Sequence, residues 1–311
     1  MKKLLVYLKD YKKESFFAPL FKMLEAIFEL IVPLVVASII DNGILRNNIS
    51  YVVICSAILV ALAVIGMVAA ITAQYFAAKA ATGFGKELRY ALFDKIESLS
   101  FSEVDSIGTS SLITRLTTDS NQVQNGVNLV LRLFLRSPFI VFGAMIMAFT
   151  VDVKCALIFV GVIPVLSLVV FGIMAYTIPK YKQVQNNLDS VTLKTRENLS
   201  GARVIRAFTQ EEAEINDFTE KNDILTRLQK GVGKISALMN PVTYVIINVA
   251  VIALIYNGAL QVNKGNLSQG EVVALYNYMS QILVELIKLA NLIITITKAL
   301  ACASRIESVM N

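Results

Sequence analysis

The chain is 311 residues long, 56% hydrophobic and only 17% charged, with a mean hydropathy of +0.63, and a water-soluble domain of this length needs more polar surface than that. Its net charge of +6 comes without a basic stripe of interleaved aromatics, which argues against a nucleic-acid partner. The absence of histidine removes the commonest general base and zinc ligand, and the widely spaced Cys55, Cys155 and Cys302 imply neither a disulfide framework nor a metal site.

From the N-terminus, residues 1–15 read as an interfacial elbow helix. Leu4, Leu5, Leu8 and Tyr11 form its buried side, and Lys2, Lys9, Lys12 and Lys13 its wet one. Six apolar runs follow, at about 16–40, 51–78, 129–151, 153–178, 241–260 and 270–296, each near the length that crosses a hydrocarbon core of ~30 Å. The expected fold is an all-α membrane protein of six long transmembrane helices. Short connections (41–50, 152–154, 261–269) alternate with long ones (79–128, 179–240). Of basic residues the short ones hold only Arg46, Lys154 and Lys264, whereas Lys79, Lys86, Lys180, Lys182, Lys230 and Lys234 sit in the long ones near span ends. The positive-inside rule then places both termini and both long connections in the cytoplasm.

The long connections continue the helical pattern of their spans. Leu88, Leu92, Ile96 and Leu99 form one stripe, Tyr181, Val184, Leu188, Val191 and Thr195 another, and Ile215, Phe218, Leu225 and Leu228 a third. A helix over 153–199 is ~70 Å long at ~1.5 Å per residue, so the spans are expected to project ~40 Å as cytoplasmic stalks. The pattern breaks at Leu99-Ser100-Phe101-Ser102-Glu103-Val104-Asp105-Ser106-Ile107-Gly108 and again at Ser200-Gly201-Ala202-Arg203-Val204-Ile205-Arg206-Ala207-Phe208. Glycine and serine permit sharp turns there, leaving a short transverse segment with an aromatic anchor at each tip. Phe101 and Phe208 suit either a groove on a partner protein or burial at a helical turn.

Three patterns carry a family resemblance: Pro33 with Ile39-Ile40-Asp41-Asn42-Gly43-Ile44, then Gly108…Arg115-Leu116…Asp119, then Gly201…Val204-Ile205-Arg206-Ala207-Phe208. In this order, and over essentially the whole chain, the sequence resembles the transmembrane domain of six-span ABC exporters, closest in flavour to multidrug-type half-transporters. The resemblance implies that Phe101, Ser102, Glu103, Val104, Asp105 and Ser106 form one coupling helix, and Gly201, Ala202, Arg203, Val204, Ile205 and Arg206 a second. Both would dock on nucleotide-binding domains supplied in cis or in trans. It further implies a domain-swapped dimer with a second transmembrane half, residence in the bacterial cell membrane, and export of amphiphilic small molecules. ATP and Mg²⁺ would be held by the nucleotide-binding domain and no cofactor by this chain.

The sequence ends at Ser304-Arg305-Ile306-Glu307-Ser308-Val309-Met310-Asn311, where the resembling family joins its ATPase domain. These residues contain no phosphate-binding G-x-x-x-x-G-K-[ST] loop. Gly231-Val232-Gly233-Lys234 fails that pattern, with Leu228 for the first glycine and Ile235 for the hydroxyl. The chain alone is therefore expected not to be an enzyme.

Ionisable residues inside a bilayer are costly and mark functional or packing sites. Lys22, Glu25 and Glu29 share a face of span one, and Glu285 and Lys288 lie three apart in span six. Asn248, Gln281 and Asn291 add uncharged polarity. All but Lys22 are candidates for the substrate cavity, with Glu25 and Glu29 attracting cationic amphiphiles. The alternative is packing through Lys22 paired with either glutamate, and an internal Glu285–Lys288 pair. The resembling family often has a carboxylate four residues before the span-one proline, which points to packing for Glu29. Arg132 and Arg136, at the entry of span three, suit lipid phosphates or an anionic gate. Prolines and Gly143, Gly161 and Gly172 read as kinks or close helix contacts. An ion-driven secondary transporter and a membrane sensor remain the competing classes; the first typically shows broken spans and paired repeats, which are not evident here.

Overall fold

The computed structural model describes residues 4–310; Lys2 of the expected elbow lies outside them. Among the described residues every regular element is helical. Six continuous or nearly continuous helical stretches are long and apolar enough to cross a membrane: Leu4–Ile44, Ile49–Glu97, Thr109–Val151, Val153–Ser200, Glu211–Asn263 and Gln269–Met310. They are built from a 3-10 turn Leu4–Tyr11, α1 (Lys12–Ser38), α2 (Ile49–Glu97), α3 (Phe101–Ile107), α4 (Thr109–Thr114), α5 (Ser120–Leu133), α6 (Arg136–Val151), α7 (Val153–Ser200), α8 (Ala202–Ala207), α9 (Glu211–Asn263) and α10 (Gln269–Met310). Two π-helical segments, Ile39–Ile44 and Arg115–Asp119, interrupt the regular pattern. The chain divides into two compact units, residues 4–161 with 249–310, and residues 162–248.

In the first unit α1 packs along α2, and α10 packs on α1, α5 and α6. The α2 seam is small: Ala69, Ala73, Ala77, Ala80 and Ala81 are buried at spacings of mostly four, which lets neighbouring backbones approach. Beyond this seam the first arm holds an apolar cluster of its own. Phe84, Leu88 and Leu92 of α2 meet Leu112, Val123 and Val127, together with Ala303, Ile306 and Val309 of α10. Ile96 and Leu99 pack against the cluster, so the whole predicted stripe faces inward. Fully burying a leucine contributes about 1.5–3 kcal/mol, and Leu88 and Leu92 are both fully buried.

The third stretch departs from an unbroken helix. It turns at Phe134 and Leu135 between α5 and α6. Pro138 lies in the first turn of α6, where a missing N–H costs little; continuing the helix through it would lose a hydrogen bond and crowd the preceding turn. The elbow departs as well. Its first part is a 3-10 turn in which Leu4 is buried but Leu5 is exposed, because three residues per turn bring Leu4 and Tyr7 to one side and carry Leu5 away.

Aspartates on the two π segments tie α10 at both ends. Asp41 accepts from Ser268 Oγ at 2.5 Å and from the Gly270 backbone N–H at 2.9 Å. Asp119, buried, accepts from Nε and Nη2 of Arg305. Gly270 allows the first contact, since a Cβ there would meet the Ala37 carbonyl oxygen at 2.3 Å. Gly143 is likewise a close contact, against Leu30, whereas a Cβ on Gly161 or Gly172 would meet nothing within 4 Å.

The second unit contains the outer part of α7, the short α8 and the matching part of α9. Leu166, Val170, Met174, Leu225, Val232 and Ile247 are buried, while Tyr181, Leu188 and Ile215 of the predicted stripes are exposed. Lys194 bridges Glu214 at 2.6 Å and Asp217 at 2.7 Å, joining α7 to α9. These two bonds, with Asp217 first, hold the Lys194 ammonium well above the usual lysine range. Lys194 in turn pulls the Asp217 carboxyl below its ordinary 3.8. Residues 231–234 lie inside α9, a helical interior unlike the strand-to-helix loop that cradles phosphate.

Candidate functional site

Each arm tip carries a short helix between two turns. At the first, Ser100 caps α3: its hydroxyl accepts from the Glu103 N–H, and the Glu103 carboxylate accepts from the Ser100 N–H at 2.8 Å. This reciprocal pair starts a helix of only seven residues. The Ser100 N–H and then its hydroxyl hold the Glu103 carboxyl below its usual range. The helix ends at Gly108, whose φ of +82° is left-handed and suited to glycine. The second tip turns differently. Gly201 makes the bend between α7 and α8 at φ −92°, where a Cβ would come within 3.1 Å of the Glu197 carbonyl oxygen, and the left-handed position falls on Thr209 at φ +54°.

Phe101 is 93% exposed and Phe208 72% exposed, so neither is buried at its turn. Val204 is exposed too, and α3 and α8 have no buried residue. Ser102, Glu103, Asp105 and Ser106 share the open surface of α3, with Val104 partly packed, and Ala202, Ile205 and Arg206 line a shallow cavity of about 300 Å³ with Phe218. Arg203 is exposed beside them.

The second group lies in the first unit, where α1, α6 and α10 meet. Arg136 is its hub, with a side chain only 7% exposed. It donates from Nη1 to Glu285 at 2.8 Å and from Nη2 to Glu29 at 2.6 Å, and its Nε lies 3.9 Å from Glu25. Lys288 also donates to Glu285, at 2.8 Å, and Lys22 to Glu25, at 2.5 Å. The expected pairs Lys22–Glu25 and Glu285–Lys288 are therefore present. The reading of Arg136 as a headgroup or gate residue is not: three carboxylates within 4 Å already occupy its guanidinium.

Glu25, Glu29, Glu285 and Lys288 are brought together in this way, and Gln281 lines a cavity with the last three. Glu29 lines two cavities, one of about 510 Å³ toward α2 and one of about 480 Å³ toward α10. Asn291 instead lies exposed on α10, and Asn248, in the second unit, is exposed and donates to the Tyr244 carbonyl of its own helix. Neither Arg136 as hub nor the Asp41 and Asp119 anchors were anticipated. Charge counting signals the first: away from the span ends, Lys22 and Lys288 face Glu25, Glu29 and Glu285 and leave one negative charge unmatched, which a bilayer penalises unless a cation lies nearby.

Six apolar helical stretches and an inward-facing ionic cluster define an all-α, multi-pass membrane domain. The chain belongs to the ABC transporter family: residues 15–286 match the family model described as the ABC transporter transmembrane region, and it is that membrane domain rather than an ATPase domain. It is 31% identical, over its full length, to an uncharacterized ABC transporter ATP-binding protein, YfiB, of Bacillus subtilis, covering 54% of that protein. It is 28% identical over 98% of its length to an uncharacterized ABC transporter ATP-binding protein of Mycobacterium tuberculosis, covering 52% of it. It also shows 26% identity over 72% of its length to the ATP-dependent lipid A-core flippase of Syntrophus aciditrophicus, covering 37% of that protein. The chain thus spans about half the length of the first of these curated relatives.

Proposed function

We propose that this domain forms the membrane pathway of an ATP-driven exporter of amphiphilic small molecules, working by alternating access in the bacterial cell membrane. Nucleotide-binding domains, joined in cis or supplied in trans and holding ATP and Mg²⁺, close and push on α3 and α8. The arms carry that push to the spans, and the cavity opens outward as its affinity for cargo falls. Only a difference in affinity between the two states lets the push move cargo. Both termini and both arms lie on the cytoplasmic side in this reading, as the basic residues near the span ends favour.

The observation that carries the reading is the exposure of Phe101 (93%) and Phe208 (72%) at the two arm tips. An aromatic standing free on a short capped helix gains its burial energy only from a partner groove. Exposed Tyr181, Leu188 and Ile215 on the second arm support a second transmembrane half that covers them.

The test is Phe101→Asp in inverted vesicles that hold the nucleotide-binding partner. ATP-driven accumulation of an amphiphilic dye should fall to background while expression and ATP hydrolysis persist. Full transport by that variant would refute the coupling role. Cysteines at Asp105 and Arg203 should be protected from an impermeant thiol reagent added outside intact cells.

A further inference from the structure

The cavity between α1 and α10 is about 480 Å³, room for a polar head and the start of a tail. Val32, Pro33, Val36 and Val284 give it an apolar side. The same lining carries, beside the buried Glu285, two more open charges: Glu29 of α1, whose side chain is 40% exposed, and Lys288 of α10, 44% exposed. Each is held from behind by a buried partner of opposite sign, Glu29 by Arg136 and Lys288 by Glu285. Gln281 lines the same wall, and its Oε1 is buried without a hydrogen bond.

The sum of charges decides what such a cavity takes. Lys22, Arg136 and Lys288 against Glu25, Glu29 and Glu285 give three positive and three negative groups, a net of zero. Arg132, one turn before Arg136, joins none of these pairs and lines neither cavity beside Glu29. A simple cation drawn to Glu29 brings a positive charge that the balanced cluster cannot offset, and a simple anion drawn to Lys288 brings the opposite excess. Either is penalised where water is scarce. A ligand with both charges leaves the sum at zero while pairing each exposed group.

We propose that this cavity selects zwitterionic amphiphiles: an ammonium carrying N–H groups set between Glu29 and Gln281 Oε1, an acidic group at Lys288, and the tail along Val32, Val36 and Val284. This rests on the exporter reading for the ligand's fate but not for its binding, and it replaces the cationic preference expected from Glu25 and Glu29 alone.

The chain contains no tryptophan, so Asn277→Trp, at a partly buried cavity position outside the proposed contacts, supplies a single fluorescent reporter. In a non-ionic detergent, without ATP or a nucleotide-binding partner, the reporter protein is titrated with N-dodecylglycine, dodecylammonium and dodecanoate, which share a tail length. N-dodecylglycine should bind about ten-fold or more tightly than the other two, a conservative margin for an uncompensated charge in a bilayer. Adding Glu29→Gln should move the preference toward dodecanoate, and Lys288→Gln toward dodecylammonium. Glu29→Gln with Lys288→Gln, again balanced, should level the three.

Lysophosphatidylethanolamine distinguishes the source. Its binding alongside N-dodecylglycine means the charge pair is what the site reads, and its binding alone assigns the site to a membrane lipid. Tighter binding of dodecylammonium by the reporter protein, equal binding of all three, or no binding of either zwitterion overturns the proposal. The order in the reporter protein decides even if a charge variant fails to fold. Because no transport is measured, that failure leaves the exporter reading standing, to be judged by Phe101→Asp.

Discussion

Arg136→Met removes the hub of the ionic cluster while keeping most of its volume. Glu285, with a side chain only 3% exposed, then retains Lys288 alone, and Glu29 loses its cation. Breaking a buried ion pair from one side costs about 3–5 kcal/mol, because the remaining charge stays buried without compensation. Glu29 is too exposed to add much; pairs of that kind contribute about 0–1 kcal/mol. The loss should therefore fall mainly on Glu285, and Glu285→Gln should restore a large part of it. A double-mutant cycle in detergent, with unfolding followed by loss of helical signal, should give Arg136 and Glu285 a coupling of about 2 kcal/mol or more and Arg136 and Glu29 about 1 kcal/mol or less. Equal coupling for the two glutamates, or an Arg136→Met protein as stable as the parent, would refute the assignment of Glu285 as the buried partner and Glu29 as the exposed one.

Other expectations follow from particular contacts. Gly270→Ala sets a methyl against the Ala37 carbonyl oxygen at 2.3 Å and should cost about 1–3 kcal/mol, read as lower thermal stability; Asp41→Ala should weaken the same junction. Phe101→Asp changes a 93% exposed side chain and should shift unfolding by no more than about 0.5 kcal/mol, so that any transport defect reports on docking. The Lys194–Asp217 pair has a defined pH window. Asp217 is depressed below 3.8, so its contribution is present above that value and lost as pH falls through the lower folded one. Lys194 is raised above 10.5, so its contribution is present below that value and lost as pH rises through the folded one. Hydrogen-exchange protection at the start of α9, corrected for intrinsic rates, should be flat between those limits and drop in acid; a fall near neutrality would count against the pair.

The helical pattern was open to reading because it is local. A run of apolar residues answers to the thickness of a bilayer, and a stripe at spacings of three and four answers to helical pitch, so Leu88, Leu92, Ile96 and Leu99 announce their inward face without reference to the rest of the chain. The same holds for Lys22 with Glu25 and Glu285 with Lys288, three residues apart on single helices. The exact form of the turns was less legible: Ser100 and Glu103 make a local cap, but the left-handed residue of the second tip is Thr209 rather than Gly201.

Which carboxylate reaches which cavity was decided only by the tertiary structure: Glu25 and Glu29 both line the one toward α2, and of the two Glu29 alone lines the one toward α10. Glu25 and Glu29 differ little along one helix, and only the family resemblance pointed to packing for Glu29. It is Arg136, separated from Glu29 by 107 positions and from Glu285 by 149, that buries one side of the group and leaves Glu29 with its other side open. The same long-range meeting puts Asp41 and Asp119 on α10 across 227 and 186 positions. Periodicity and span length are properties of a segment, whereas charge compensation in a medium of low dielectric belongs to whichever segments are folded against one another.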